Sequence, residues 1–330
     1  MLQKIARTVD IDWNALPQKK WGALLERAPY SALQQHYAFG EAVRHFGGDA
    51  HRARIRADGR DIGLAQVHVR HFTELFSLAT IMRGPVWLDP ALAPETKASA
   101  YKELRRTLPI DGWRLTLVMP ESAEDQAEKQ AGLKRIISGY HTVLIDLQAD
   151  EDALRGAMNQ KWRNRLRAAE KANLRITTIG RRPHQYDWLL KSEQAQRKRA
   201  RYGAMSTAFV PVFQELGGKQ SLFMLQAEHD GERVGGVLFL RHGAAATYHI
   251  GWTSELGKSL NANNLLLWQA MRELKGKGVR MLDLGGLDTD HGPGLARFKL
   301  GAGGALHSQC GTYCFEPKSI FQRLMRAHHS

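Results

Sequence analysis

Short apolar runs of strand length meet at an Asp-Gly dipeptide twice in this chain. RIRADGRDIGLAQVHVR (residues 54–70) and LQAEHDGERVGGVLFLR (225–241) share the pattern D-G-x-x-[I/V]-G. Each predicts a β-hairpin closed by a two-residue turn. Both halves then continue alike. The first gives a strand around ATIMRGPVWL, a helix around ETKASAYKELRRTL and a strand GWRLTLVMP; the second gives AATYHIGWTS, NANNLLLWQAMRELKGKG and VRMLDLGG. The same succession of hairpin, strand, helix and strand occurring twice marks an internal duplication. It predicts two related α/β domains, 1–150 and 151–330. The junction falls in LIDLQADEDALRG, where Asp150, Glu151 and Asp152 open a helix and suit its dipole.

Helical periodicity dominates after the junction. In GAMNQKWRNRLRAAEKANLRI, Met158, Trp162, Leu166 and Ala169 form one apolar stripe, which makes Trp162 a core residue. Lys161, Arg163, Arg165, Arg167 and Lys171 occupy the other faces. SEQAQRKRARYGAM predicts a second basic helix that ends before Gly203, with Arg197 and Arg201 one turn apart. The loop SELGKSLNANN delivers a further helix, with Asn261, Asn263 and Asn264 available as caps. PKSIFQRLMRAHH, near the C-terminus, is amphipathic and basic, a pattern that suits docking on the second domain or contact with an anionic membrane.

Composition narrows the class. With 330 residues and 43% hydrophobic content, the chain can bury the cores of two domains, and it lacks the bias of a disordered or fibrous polymer. No run approaches the ~18 apolar residues that span a bilayer, and acids at Asp10 and Asp12 interrupt the start where a signal peptide needs an apolar stretch. A cytoplasmic protein is therefore expected, with peripheral contact at the inner membrane face as an extension of that reading. Cys310 and Cys314, four residues apart in a strand-like segment, are about 13 Å apart at strand spacing and cannot pair within it. They read as structural thiols, and no metal site is expected. The formal net charge is +14, and the stretch from Arg155 to Arg201 holds fourteen Lys or Arg against three acids. Such a field favours a polyanionic partner.

The segment DLGGLDTDHGPGLARFKLGAGG, residues 283–304, concentrates the candidate chemistry. A strand ends in two glycines, a turn carries Asp288, Asp290 and His291, and Phe298 and Lys299 follow. Glycines on both sides allow the backbone to approach a ligand closely. A cation held there can stabilise developing negative charge on a carbonyl, and Asp283 is the first candidate for accepting a proton.

DLGG followed by FK, together with QKWRNRLRAAEKANLRI, ARYG and the early APYSALQQHYAFGEAVRHFGG, resembles the Fem family of non-ribosomal peptidyl transferases over nearly the whole chain. The resemblance implies two tandem N-acetyltransferase-like (GNAT) domains, each a mixed sheet flanked by helices. It also implies transfer of an amino acid from aminoacyl-tRNA to an amine of a nucleotide- or lipid-linked muropeptide, without a cofactor. In that scheme Lys299 stabilises the ester's carbonyl oxygen as it becomes an oxyanion, and Phe298 shapes the site. Arg201 holds the acceptor's diphosphate. The family's other diphosphate contact falls at Val43, with Arg44 beside it. The expected substrate-binding set is thus Arg201, Arg197, Arg44, Tyr248 and Trp252. The long helical hairpin that some members insert in the second domain is missing.

Two other readings stand beside this one. An acyl-CoA-dependent N-acyltransferase on the same fold would need a glycine-rich Q/R-x-x-G-x-G/A turn before the second-domain helix, yet no glycine lies between Gly257 and Gly276. A non-catalytic polyanion-binding protein would use the basic helices alone.

Overall fold

In the computed structural model, residues 8–180, 182–200, 205–288 and 292–315 are described. The first sheet is built from β1 (Val9–Trp13), β2 (Asp49–Ala57), β3 (Arg60–His71), β4 (Phe76–Met82), β5 (Val86–Trp87), β6 (Trp113–Met119) and β7 (Leu133–Ile137). The second comprises β8 (His141–Asp146), β9 (Arg175–Ile179), β10 (Leu222–His229), β11 (Glu232–His242), β12 (Ala245–Thr253), β13 (Met281–Gly286) and β14 (Ala305–Ser308), after which β15 (Thr312–Phe315) returns to the first. The strand orders are β1-β2-β3-β4-β6-β15-β7, with β5 beside β3, and β14-β8-β13-β12-β11-β10-β9. The fold is the expected pair of mixed sheets flanked by helices. The sheets do not divide at residue 150, however. β8 precedes that point and pairs with β13 and β14, while β15 pairs with β6 and β7, so each half lends a strand across the boundary.

The repeated D-G-x-x-[I/V]-G pattern acquires a physical cause here. Asp58 and Gly59, like Asp230 and Gly231, all have positive φ, the conformation that a tight hairpin turn requires at both central positions. Ile62 and Val234 are each the extra residue of a bulge, since Ile55 pairs with Gly63 and Arg56 with Asp61, while Ala227 pairs with Gly235 and Glu228 with Arg233. The glycine after each bulge lies under a neighbouring element. A Cβ at Gly63 would stand 2.9 Å from both the Trp87 ring and the Val86 carbonyl, and one at Gly235 would stand 3.0 Å from Thr253.

Helix Pro94–Thr107 covers the first sheet, burying Tyr101 and Leu104 against Ile55, Val67 and Val118. Helices Gln160–Glu170 and Ala262–Gly276 cover one face of the second, with Leu166, Leu266 and Met271 against Leu225, Val237 and Leu282. Met158, Trp162, Leu166 and Ala169 are buried, as their spacing predicted, and Asp150 caps the Glu151–Ala157 helix by accepting from Ala153 N at 2.7 Å. The opposite face of the second sheet joins the first domain. Phe39 and Ala42 of helix Tyr37–His45 share a cluster with Phe209, Phe213, Leu238 and Ile250. Both cysteines are free thiols, Cys310 buried and Cys314 half-buried.

Candidate active site

The two halves differ where their parallel strands meet. β4 and β6 pair through seven positions, from Phe76 with Trp113 to Met82 with Met119. β12 and β13 pair through three only, ending at Thr247 with Asp283. Beyond that point they diverge, because β12 carries a bulge, with Phe239 opposite Tyr248 and Leu238 opposite Ile250, so His249 is the extra residue. The second domain therefore gives up parallel pairing at a level where the first keeps it.

Lys299 stands at this divergence. It lies on helix Pro293–Leu300, is 6% exposed, and donates from Nζ to the Gly286 carbonyl at 2.7 Å. Gly285, with φ 72°, brings its backbone under the amine: a Cβ there would lie 3.4 Å from the Tyr248 carbonyl and 3.7 Å from Lys299 Nζ. Burial disfavours the charged amine and pulls its pKa down to about 8, with Asp283 acting in the opposite sense. Phe298 packs against Trp162, with ring centroids 5.8 Å apart, and its carbonyl accepts from Trp162 Nε1 at 3.1 Å. It braces the helix that carries the lysine. Asn159, which caps helix Gln160–Glu170 through Trp162 N at 2.8 Å, secures the other side of this contact.

Asp283 does not have the freedom of a proton acceptor. It is fully buried; Oδ1 accepts from Thr142 Oγ1 and from Gly285 N at 2.8 Å, and Oδ2 accepts from Tyr30 OH at 3.0 Å and from Arg83 Nη1 at 2.6 Å. Burial alone would raise its pKa, but the Arg83 guanidinium and these hydrogen bonds hold it below the usual carboxylate value. These partners argue against the base role that the sequence suggested. Four donors saturate the carboxylate and make it a brace for the strand end. Asp288 is exposed, while Asp290 and His291 lie outside the described residues.

The expected substrate-binding residues separate into groups. Tyr248 and Trp252 do not share a face: the bulge at His249 sends Tyr248 edge-on against Phe239 at 5.4 Å, on the side of helix Ala262–Gly276, and Trp252 against Trp188 at 5.9 Å, on the side of helix Pro183–Ala200. Simple alternation over four residues would have placed them together. Arg197 donates to the Met205 carbonyl at 2.9 Å and lies close enough to His249 to act with burial in lowering that imidazole to about 4. Arg44 is occupied within the first domain by Glu41 at 3.2 Å, Asp49 at 3.0 Å and the Ala50 carbonyl, and is not part of this group. Arg201 and the C-terminal amphipathic segment lie outside the described residues. Among the expected caps of helix Ala262–Gly276, Asn261 makes no side-chain cap; its carbonyl accepts from Asn264 N at 2.9 Å.

Sequence reasoning missed Tyr30, Arg83, Thr142 and His249. The first three come from distant segments and are united only by the meeting of the two domains. Tyr30 does lie in the APYSALQQHYAF stretch on which the family resemblance rests, and His249 lies within YHIGW. Among the described residues, no group of three or more His, Cys, Asp or Glu could hold a metal ion, and no helix is long and apolar enough to cross a membrane.

Residues 155–300 match the family described as Acetyltransferase (GNAT) domain. The crystal structure of FemX superposes with a TM-score of 0.78 at 15% identity, over 95% of this chain and 99% of that one. A tandem GNAT protein from the clavulanic acid biosynthesis pathway gives 0.51 at 15% identity, over 94% and 100%. L-PGS from Bacillus licheniformis gives 0.50 at 11% identity, over 94% of each chain. No curated protein matches the sequence. Residues 155–300 are thus similar to a GNAT acetyltransferase domain, and the chain as a whole shares the tandem GNAT fold of these structures. Its architecture is that of FemX, as the sequence resemblance implied.

Proposed function

We propose that this protein is a Fem-like aminoacyltransferase that moves an amino acid from aminoacyl-tRNA to a primary amine of a phosphate-bearing, peptidoglycan-precursor acceptor. The observation that carries the reading is Lys299, a buried amine held by the Gly286 carbonyl where β12 and β13 part. An aminoacyl ester is already activated, so the enzyme has to orient the acceptor and steady the charge that develops on the carbonyl oxygen. The acceptor nitrogen attacks the ester carbon, the carbonyl electron pair moves to oxygen facing the Lys299 ammonium, and the intermediate collapses with loss of the tRNA ribose oxygen. With Asp283 saturated, the amine's proton passes to that departing oxygen within the substrate. The basic faces of helices Gln160–Glu170 and Pro183–Ala200 supply attraction for tRNA, sequence-independent and sensitive to salt.

Incubation with charged tRNAs and nucleotide- or lipid-linked muropeptides tests the proposal. Amino-acid transfer abolished by ribonuclease is expected; no transfer across a complete donor set would overturn it. An acyl-CoA donor is the second reading, favoured by the match to an acetyltransferase domain. Against it, the loop before helix Ala262–Gly276 folds as a short helix, Glu255–Ser259, capped by Ser254, where a glycine-rich pyrophosphate turn would be needed. Saturable CoA binding by calorimetry would reverse the ranking.

A further inference from the structure

The charge nearest to Lys299 belongs to a network that the second domain does not complete alone. Asp283 receives Thr142 and Gly285 N on one oxygen from its own sheet, but the other oxygen is held by Tyr30 and Arg83 of the first domain. Arg83 is in turn fixed by Glu121, which accepts from Nε and Nη2 at 2.7 Å each, and it donates to Tyr30 OH at 3.1 Å. Glu121 also receives Gln309 Nε2 at 2.8 Å and lies 3.2 Å from His307 Nε2. The Arg83 backbone adopts φ 52°, a conformation that a non-glycine residue keeps only where its surroundings demand it. From Asp283 the chain of contacts runs two residues along β13. Its carboxylate fixes Gly285 N, the one Thr142 hydroxyl hydrogen is shared between Asp283 Oδ1 and the Gly285 carbonyl 2.9 Å away, and the next carbonyl, Gly286, seats the Lys299 amine.

The geometry points to Arg83 as a positioning residue for Lys299: from the first domain it locks Asp283 onto the strand end whose carbonyl holds the amine. Its kinetic consequence rests on the aminoacyl-transfer reading; its structural consequence does not. Asp283 is the charge that acts on Lys299, with Arg83, Glu121 and Tyr30 behind it and the Tyr140 phenol against Gly286. Arg83 neutralises much of the Asp283 field. Removing it leaves more of that field acting on the ammonium and loosens the strand end.

The test uses the full chain with Arg83→Met, Arg83→Lys and Thr142→Val. The pH midpoint for acetic anhydride labelling of Lys299, read by mass spectrometry, reports the amine independently of turnover. Arg83→Met should raise this midpoint by about one unit. It should also lower kcat about a hundredfold with KM little changed, as expected when a reacting group is displaced by an ångström. Arg83→Lys should fall between, since an ammonium cannot fork to Glu121 and Asp283 together. Thr142→Val should move the midpoint in the same direction by less. If Arg83→Met does not fold, the other two variants decide. A midpoint that is unchanged or lowered in the folded variants would overturn the assignment, whatever happens to thermal stability. Absence of transfer by the wild-type protein would sink the functional reading instead, and the labelling midpoint would still decide the role of Arg83.

Discussion

Arg83 and Asp283, two hundred residues apart in the chain, meet at 2.6 Å in the buried seam between the domains, one side chain 9% exposed and the other fully enclosed. Such a pair makes a small contribution over an apolar replacement of both partners, but it is costly to break on one side, because the survivor keeps its charge without its counter-ion.

Asp283→Asn should therefore destabilise the fold by about 3–5 kcal/mol in urea unfolding. A loss below about 1 kcal/mol, the level of an exposed pair, would show that water reaches the seam.

The sign of the acid dependence follows from the same pair. The folded-state pKa of Asp283 lies below its unfolded value, so as pH falls the unfolded chain takes up the proton first. The stability from this group is complete above the ordinary carboxylate range and is lost as pH drops through the folded value. Urea midpoints recorded from neutral to acid pH should fall more steeply for the wild-type protein than for Asp283→Asn.

Lys299 shifts stability with pH in the same sense, but in an alkaline window. Its folded pKa of about 8 is lower than that of a free lysine, so the unfolded chain holds more protons between the two values and this group's contribution to stability rises with pH across that window. Catalysis runs the other way: if the ammonium is the active form, kcat should fall as pH rises through about 8. Lys299→Ala should lower kcat by about a hundred- to a thousandfold, the range for losing one oxyanion donor, and should remove that limb of the profile.

Trp162 ties the basic helix to the lysine-bearing one. Trp162→Phe keeps the packing with Phe298 but loses the bond to its carbonyl. A cost of about 1 kcal/mol in thermal or urea unfolding is expected, with a fall in kcat. Unchanged stability would mean that the indole N–H contributes nothing there.

The two bulge glycines should differ in tolerance. Gly63→Ala meets a backbone carbonyl and a tryptophan ring that cannot move apart cheaply, whereas Gly235→Ala meets the Thr253 methyl and a leucine side chain. Overpacking of about 1–3 kcal/mol is expected at Gly63, with less at Gly235, measured as denaturation midpoints.

The duplication was legible in the sequence because hairpin geometry is local. A turn with positive φ at both central positions needs Asp-Gly, and a bulge beneath a neighbouring strand needs a glycine after it, so the same six-residue pattern appears twice. The apolar stripe through Trp162 and Leu166 was legible for a similar reason, since helical spacing fixes which side chains share a face. The segment holding Phe298 and Lys299 could likewise be singled out from its glycines and charges.

What tertiary structure decided was the company each residue keeps. Asp283 reads as a candidate base in isolation; it became a saturated brace because Tyr30 and Arg83 arrive from another domain. Tyr248 and Trp252 alternate in phase along the sequence, yet a bulge whose need is set by the pairing of β11 with β12 turned them to opposite faces. The exchange of β8 and β15 between sheets was equally hidden, because strand pairing depends on which edge is free once both domains have formed. Local propensity is written residue by residue, whereas burial, charge partnership and register belong to contacts between segments far apart in the chain.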